Sequence, residues 1–487
     1  MSAATALPHR RSQAQESARA LADERRVAFW LTTFVVVQIL CQLLMMSESI
    51  GSMRVIFRSA VFLMSAGFLI VVPGREHAHP AKLWMVSALL VVALAVFHPT
   101  TNAAMAGIAH FTLYLSIAAP LFWVTRLAVT DKILRRIILI LWVFHTASAA
   151  VGVLQMHFPG RFQPSVSSTI RGMGEMADAY KMRLADGTTV WRPMGLTDTP
   201  GGAAGAGLYA VVFSLGVYIQ RRAGWFKVLS AGGFLVGSFC LYIGQVRSLL
   251  VMAVICVAAL VWVLSRRGEL KRCMELAFLV PVMGALSFYW AARVGGEETE
   301  KRNNSLVETA RLDQTYQKNR GFFLSHTVYD LLPQYPLGAG LARWGMMRGY
   351  FGDERNTDSP MIWVEIQFTG WLLDGGIPLI LLYSTAVLMT VWMSYRIALS
   401  RRTGELPLWA ALLFALNIAS VAVTFNYPLF IGQGGMEFWF LNCALYMAAV
   451  TADRKSRSLS MNAGAAAAGR RTLHQGPTRH IAETPAE

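Results

Sequence analysis

Twelve long apolar segments, separated by mostly short polar turns, constrain this chain more than any other feature of its sequence. A helix needs roughly 17–25 mostly apolar residues to cross about 30 Å of hydrocarbon. Segments of about this length lie at 27–46, 55–72, 83–97, 103–125, 133–157, 203–219, 225–243, 248–264, 274–292, 366–394, 406–425 and 434–451. Only 15% of the 487 residues are charged and 55% are hydrophobic, whereas a soluble domain needs more polar surface. The sequence therefore predicts an all-α polytopic membrane protein with about twelve transmembrane helices.

Lysine and arginine residues in the short turns predict the orientation of these helices. They collect in every second turn, which the positive-inside rule assigns to the cytoplasm. The cationic turns include 126–136, 221–227 and 266–272, whereas the alternate turn 98–102 contains no lysine or arginine. Both termini are therefore predicted to be cytoplasmic. The net charge of +16 is then mainly a topology signal, and we expect no nucleic-acid partner.

The predicted orientation places two long loops on the same, non-cytoplasmic side. The chain divides into a cytoplasmic segment 1–26, membrane helices within 27–292 interrupted by a loop at 159–202, a large loop 293–365, membrane helices within 366–451, and a disordered cytoplasmic tail 452–487. Loops this long are usually functional. In the second loop, apolar residues recur at helical spacing over Ser305–Leu332 and stop at Pro333, which predicts an amphipathic helix.

Motifs for metals, nucleotides and disulfides are missing from the sequence. The five cysteines lie in or beside the apolar segments, and no C-x-x-C or H-E-x-x-H pattern occurs. P-loop and Rossmann patterns are also missing, which argues against an ATP-driven pump. We therefore expect no metal site and no cofactor. The two halves show no repeat of the kind expected in a twelve-helix transporter of the major-facilitator type.

Three motifs in the middle of the chain resemble a known family when they are taken in order. They are W-R-P-M-G-L-T-D-T-P at 191–200, Q-V-R-S-L-L at 245–250, and R-G-F-F at 320–323 followed by His326 and Y-P-L-G-A-G-L at 335–341. Together with their shared outer placement, they resemble signatures of the bacterial O-antigen polymerase and O-antigen ligase superfamily. The resemblance covers about 190–380 and the overall topology.

The resemblance implies a metal-independent glycosyltransferase of the bacterial inner membrane with a periplasmic active site. Its members transfer a glycan from undecaprenyl diphosphate, within the membrane lipid, to an acceptor sugar. We favour polymerisation of lipid-linked repeat units into exopolysaccharide or O-antigen, with a flippase and a chain-length regulator as further partners. Ligation of the finished glycan to lipid A core or to a protein is an alternative. A lipid-linked glycan flippase or exporter is an alternative from a different functional class.

Three arginines of these motifs are candidates for binding the diphosphate: Arg247, Arg320 and Arg192. A guanidinium group stays charged and makes bidentate contacts to phosphate oxygens. Arg247 is the strongest candidate because it occupies a short outer turn between two apolar helices, against the charge bias. The competing interpretation is an arginine that anchors a helix end, or a solvated loop charge for the other two.

Three residues are candidates for the base that accepts the proton of the acceptor hydroxyl: Asp358, Glu365 and His326. The ligases commonly place a histidine just before the tenth helix, but residues 355–360 contain none, which favours the polymerase. Asp330, one helical turn after His326, is expected to orient the imidazole ring. If 305–332 is one helix, Arg320 and His326 lie on different faces, and a lone histidine there is more often a surface residue.

Overall fold

The computed structural model describes residues 7–47, 50, 53–166, 170, 174–220, 224–307, 316–402 and 404–474. Within these residues nearly all regular structure is helical. The α-helices of at least seven residues are α1 (Leu7–Leu44), α2 (Arg54–Val71), α3 (Lys82–Ala95), α4 (Ala104–Ala118), α5 (Asp131–His157), α6 (Gly202–Gln220), α7 (Gly224–Ile243), α8 (Arg247–Arg266), α9 (Leu270–Val307), α10 (Gly345–Phe351), α11 (Gln367–Ala398), α12 (Leu406–Val423) and α13 (Gln433–His474).

Each of the twelve predicted segments falls on a helix, so the all-α, multi-pass membrane architecture is confirmed. Among the described helices, nine are long and apolar enough to cross a membrane. A tenth span results if α4 and its continuation Pro120–Arg126, which meet at a bend of 40°, are counted together. Helix α3 is apolar but has only 14 residues, and α13 is not among the nine. The number twelve stays a prediction.

Helices α6 and α12 form the centre of the bundle. In their most apolar stretches, 78% and 83% of the residues are buried. Helix α6 approaches α7 closely, because a Cβ added to Gly207 would lie 2.5 Å from the carbonyl oxygen of Gly237. Small residues at such a contact let two helix backbones pack together without a hydrophobic driving force. The first turns of α6 and the last turns of α7 are thereby held next to each other.

The first long segment contains a short antiparallel hairpin. Strand β1 (Lys181–Arg183) pairs with β2 (Thr189–Trp191), with Met182 opposite Val190. The turn of the hairpin is tied to α9, since the backbone N–H of Ala185 donates to the carbonyl of Val294 at 2.9 Å. The chain then runs across the end of α5, where Gln155 Oε1 accepts the backbone N–H of Gly195 at 2.8 Å. These contacts fix the motif at 191–200 against the helix bundle.

The second long segment begins later than the predicted boundary at 293, because α9 continues to Val307 beyond a break at Gly296 (φ 62°). Residues 308–315 of the predicted helix Ser305–Leu332 lie outside the described residues. From 316 to 334 the chain is helical, with π-helical turns at Gln317–Gly321 and Thr327–Leu331. The second long loop is therefore partly helical. Helix α13 likewise runs past its predicted end, and disorder of the tail stays a prediction, since 475–487 lie outside the described residues.

The turn at 335–341 docks into a break in α11. Gly376 has φ 66°, and a Cβ there would lie 2.3 Å from the carbonyl oxygen of Pro336. The backbone N–H of Ile377 donates to that same oxygen at 2.9 Å, and the N–H of Ala339 donates to the carbonyl of Leu373 at 2.7 Å. The loop thus supplies partners for backbone groups that the break leaves without intrahelical ones. We call the end of the bundle that carries 159–201 and 316–366 the long-loop face.

Candidate functional site

Arg247 begins α8 immediately after a tight turn. The turn spans residues 244–246 and includes Gln245 in a left-handed conformation (φ 55°). Gln245 is 2% exposed, and its Nε2 donates to Oγ1 of Thr299 at 3.4 Å, so α9 packs against the turn. Arg247 is half-buried, and its Nε is enclosed without a hydrogen-bond acceptor. The predicted short turn with an arginine between two apolar helices is confirmed as a structure, whereas its role in binding stays a prediction.

Arg192 directly follows β2 and lies beside α9. Its backbone N–H donates to the carbonyl of Tyr180 at 2.9 Å, which extends the pairing of the hairpin by one residue. Its Nε is also buried without an acceptor. Burial lowers the pKa of Arg192, and the charge of Arg302 lowers it further, whereas Glu298 acts in the opposite direction. The guanidinium nevertheless remains charged, because arginine keeps its proton in proteins.

Arg302 completes a group of three arginines that we call the arginine cluster (Arg192, Arg247 and Arg302). Arg302 lies after the Gly296 break of α9 and is close enough to Arg247 for the two positive charges to repel each other. The next residue, Asn303, donates from Nδ2 to the carbonyl of Tyr242 at 3.3 Å, which holds this turn of α9 beside the end of α7. The sequence motifs do not single out Arg302, because the polar stretch after residue 292 predicts a loop.

The arginine cluster has the properties of a site for a polyvalent anion. Three guanidinium groups share this part of the long-loop face, and Glu298 is the carboxylate that acts on both Arg192 and Arg302. Like charges held together destabilise one another unless an anion lies between them. The Nε atoms of Arg192 and Arg247, which have no acceptor, add directed donors, and phosphate oxygens match the planar guanidinium fork.

An apolar groove of about 370 Å³ lies in the part of the bundle next to the arginine cluster. It is formed by side chains of α6 to α9, including Leu241, Leu250 and Pro281. Val254, which lines it, is 63% exposed, so the groove opens at the side of the bundle. Its upper end at Tyr242 and Leu250 lies within about one helical turn of Arg247. This combination suits an amphipathic ligand with an anionic head and a hydrocarbon tail.

Arg320 and Glu365, predicted for separate roles, form an ion pair. Arg320 lies in the first π-helical turn and Glu365 just before α11. Burial lowers the pKa of Arg320, which is still 37% exposed at its side chain. Glu365 also accepts a hydrogen bond from Nε1 of Trp363 at 2.7 Å. The two residues are thus brought together in one polar group.

His326 is paired with Asp330, as predicted. The Nδ1 atom of His326 lies 2.7 Å from Oδ2 of Asp330, and the ring stacks on Phe322. The side chain of His326 is 40% exposed. A carboxylate at Nδ1 orients the imidazole and leaves Nε2 to accept a proton, which is the arrangement of a general base.

Asp358, the third candidate base, lies on the surface of the loop before α11. Its backbone N–H donates to Oδ1 of Asn356 at 3.1 Å, and Asn356 in turn donates to the carbonyl of Asn102 at 2.8 Å. The loop is thereby attached to the turn between α3 and α4. The described side-chain contacts of the predicted residues are thus separate. Arg192 and Arg247 belong to the arginine cluster, Arg320 pairs with Glu365, His326 pairs with Asp330, and Asp358 lies in the loop before α11.

A buried carboxylate, Asp374, lies below this loop. Asp374 is 0% exposed and accepts hydrogen bonds from Tyr114 at 2.7 Å and from Nε1 of Trp344 at 2.9 Å. His110 Nε2 lies 3.3 Å from it, and Nδ1 of the same ring accepts the backbone N–H of Ala342. These contacts join α4, α11 and the loop before α10, so Asp374 holds the loop in place.

No group of three or more histidine, cysteine, aspartate and glutamate side chains suited to a metal ion occurs among the described residues. Neither a model of a known protein family nor a curated protein sequence matches this chain.

Proposed function

We propose that the chain is a membrane-embedded glycosyltransferase that extends glycans carried on undecaprenyl diphosphate. The observation that carries this proposal is the arginine cluster together with an apolar groove that ends about one helical turn from Arg247. Arg192 and Arg247 offer buried Nε donors without acceptors, and the groove offers a path for a hydrocarbon chain. A lipid diphosphate has both parts, whereas a free nucleotide sugar would leave the groove unused.

The topology in the proposal follows the charge distribution of the sequence. About twelve helices span the bacterial inner membrane, both termini lie in the cytoplasm, and the long-loop face lies in the periplasm. A flippase is then needed to deliver the lipid-linked repeat unit, and a chain-length regulator is a natural partner. The favoured product is exopolysaccharide or O-antigen.

In the proposed reaction, the arginine cluster holds the diphosphate that leaves. An acceptor hydroxyl attacks the first carbon of the donor sugar, and the bond from that carbon to the phosphate oxygen breaks. The hydroxyl proton passes to a base, and the electron pair of the broken bond leaves with undecaprenyl diphosphate. Because this leaving group is stabilised by guanidinium groups, the step requires neither a metal nor a nucleotide.

Among Asp358, Glu365 and His326, the local geometry favours His326 as the base. Glu365 is already paired with Arg320, and Asp358 makes its described contact through its backbone. The pair of His326 with Asp330 leaves one ring nitrogen available to accept a proton. A general base contributes about 10²–10⁴-fold, so His326→Ala should lower turnover by at least about 100-fold.

The function is tested with purified protein in liposomes that contain the lipid-linked repeat units extracted from the host cells. A ladder of longer lipid-linked chains supports the polymerase. Transfer that occurs only after addition of lipid A core or an acceptor protein supports the ligase. Arg293→Ala is the matched control for substitutions in the arginine cluster. Arg293 is also an arginine of α9, but its guanidinium contacts Tyr289 of the same helix.

A flippase or exporter is the second candidate, and a buried polar site inside the bundle favours it. Glu437 of α13 is hydrogen-bonded to Tyr209 and Gln433. It lines two cavities of about 20 Å³, each of which has room for about one water molecule. Ionisable residues within membrane helices often mark transport pathways. Movement of the lipid-linked glycan across the bilayer without any longer product would favour this function and contradict the glycosyltransferase.

A further inference from the structure

An extended segment before α11 displays alternate side chains in opposite directions. Residues 360–366 have no helical structure, and successive side chains of an extended chain point to opposite sides. Ile362 and Val364 pack against the small core of Ala339, Trp344 and Leu373. The residues between and beside them, Met361, Trp363 and Glu365, therefore face away from this core.

The exposed face of this segment carries a large aromatic ring in a fixed position. Trp363 is 61% exposed, although the backbone beside it is anchored by the N–H of Ile362, which donates to the carbonyl of Arg343 at 2.8 Å. Its Nε1 donates to Glu365 at 2.7 Å, and Glu365 is held in turn by Arg320. An indole whose only hydrogen-bond donor is already satisfied, and whose ring faces remain accessible, is preorganised for stacking.

The ion pair beside the ring supplies polar groups with spare hydrogen-bonding capacity. A carboxylate has about four acceptor positions and a guanidinium has five N–H donors, so neither is saturated by the contacts described. The side chains of Arg320 and Glu365 are 37% and 24% exposed, which leaves both within reach of a ligand on the surface. The surface therefore combines one apolar ring face with charged donors and acceptors next to it.

From this arrangement we infer that Trp363, Glu365 and Arg320 form a binding subsite for a sugar ring of the acceptor glycan. A pyranose has an apolar face of C–H groups that packs on an indole, and a rim of hydroxyls that donate to a carboxylate and accept from a guanidinium. This inference rests on the proposed function, which makes a glycan the substrate. It gives Glu365 and Arg320 a shared role in holding the acceptor and leaves the diphosphate to the arginine cluster.

An exposed tryptophan can instead anchor a protein at the interface between membrane and water. An interfacial tryptophan directs its N–H towards water or lipid headgroups, whereas Nε1 of Trp363 is bonded within the protein to a carboxylate that is itself in an ion pair. Two exposed charged residues, Glu354 and Arg355, also precede this segment. The polar setting favours a hydroxyl-rich ligand over a hydrocarbon surface.

Direct binding tests the inference without reliance on turnover. The full-length protein in nanodiscs is titrated with the oligosaccharide that mild acid releases from the host's lipid-linked precursor, and binding is followed by saturation-transfer difference NMR. We expect Trp363→Ala to weaken binding by about tenfold or more, since an aromatic stacking partner contributes on the order of one such factor. Trp363→Phe, which keeps a ring, should retain part of the affinity and reports on the site if the alanine variant does not fold.

Tyr329→Ala is the matched control, because Tyr329 is a 77% exposed aromatic residue of the same long loop outside the subsite. Equal binding by wild type, Trp363→Ala and Tyr329→Ala would overturn the subsite even if the protein polymerises glycans. Binding that depends on Trp363 in a protein that forms no product in liposomes would keep the subsite and contradict the proposed function. Quenching of Trp363 by brominated lipids, with no oligosaccharide effect on its signal, would assign the ring to the membrane surface and overturn the inference.

Discussion

The long-loop face holds two sets of arginines, one buried and one half-buried, that use their charge differently. In one set, which we call the loop arginine pair, Arg343 and Arg348 are 3% and 9% exposed. Arg343 donates to the carbonyls of Ala339 and Pro360 at 3.1 and 3.0 Å, and Arg348 donates to that of Ser359 at 2.9 Å. In the arginine cluster, by contrast, Nε of Arg192 and Nε of Arg247 have no acceptor.

The difference shows how an arginine that stabilises the fold can be distinguished from one that is free to bind a ligand. Carbonyl groups in irregular loops lack the partners that a helix or sheet provides, and leaving them buried without a donor is costly. The loop arginine pair fills this need and joins 339–342 to 359–360. Arg192 and Arg247 satisfy no such need through their Nε atoms. Removing an arginine of the loop arginine pair should therefore lower stability, whereas removing Arg192 or Arg247 should lower activity.

The largest effect is expected for Arg343→Ala, and it should be an effect on stability. The substitution removes two hydrogen bonds from a charged group, one to the carbonyl of Pro360 and one to that of Ala339, which keeps a bond from the Thr100 hydroxyl. Hydrogen bonds to charged groups contribute about 1.5–3 kcal/mol each, so we expect a loss of about 3 kcal/mol or more. Thermal unfolding of the protein in nanodiscs measures it, with the exposed Arg355→Ala as the control. A melting curve that coincides with that of wild type would show that Arg343 is not a fold-stabilising arginine.

The next effect concerns Arg247→Ala, which should change activity instead of stability. Losing a charge-assisted contact to the leaving diphosphate should lower product formation by about 100-fold, which corresponds to about 2.7 kcal/mol. Protein level and melting temperature should stay at the wild-type value, because no described acceptor of its Nε is lost. If activity survives while the protein melts earlier, Arg247 belongs with the loop arginine pair and the comparison fails.

A smaller effect is expected for Arg192→Lys, which keeps the charge and removes the planar fork. Lysine cannot make a bidentate phosphate contact, so the apparent affinity for the lipid-linked donor should fall by about tenfold. The Michaelis constant for the donor, measured in the liposome assay, is the quantity to compare. Arg183→Lys on the exposed hairpin strand is a matched control, and an equal change in both variants would contradict a specific contact between the Arg192 guanidinium and the donor.

The helices of this protein were predictable from sequence, because hydropathy over about 20 residues is a strong signal. The end of α9 was not, because its last turns beyond Gly296 are polar and look like a loop. This error hid Arg302, whose position depends on the continued helix. The sequence does contain a signal for a break followed by a polar helix. Gly296 and the polar residues Glu297-Glu298-Thr299 come soon after the ninth apolar segment.

Sequence patterns identified individual candidate residues of the site but did not predict which of them contact one another. Helical spacing correctly placed Asp330 beside His326, since both lie on one continuous segment. The pairing of Arg320 with Glu365 joins segments far apart in the chain, and no periodicity reports such a contact. The same holds for Asp374, whose partners Tyr114 and Trp344 come from different elements. Local patterns therefore identified candidate residues, and tertiary docking determined which of them meet.

The break in α11 has a consequence for the order in which the protein is assembled. Gly376 leaves room for Pro336, so α11 reaches its final shape only when the preceding loop has docked. That loop is synthesised before α11 and, in the proposed topology, is exported before α11 enters the bilayer. We therefore expect α11 to insert first as an incomplete helix and to mature afterwards on the far side of the membrane. Quality control of newly made protein would then depend on the contact between Pro336 and Gly376, which forms outside the cytoplasm.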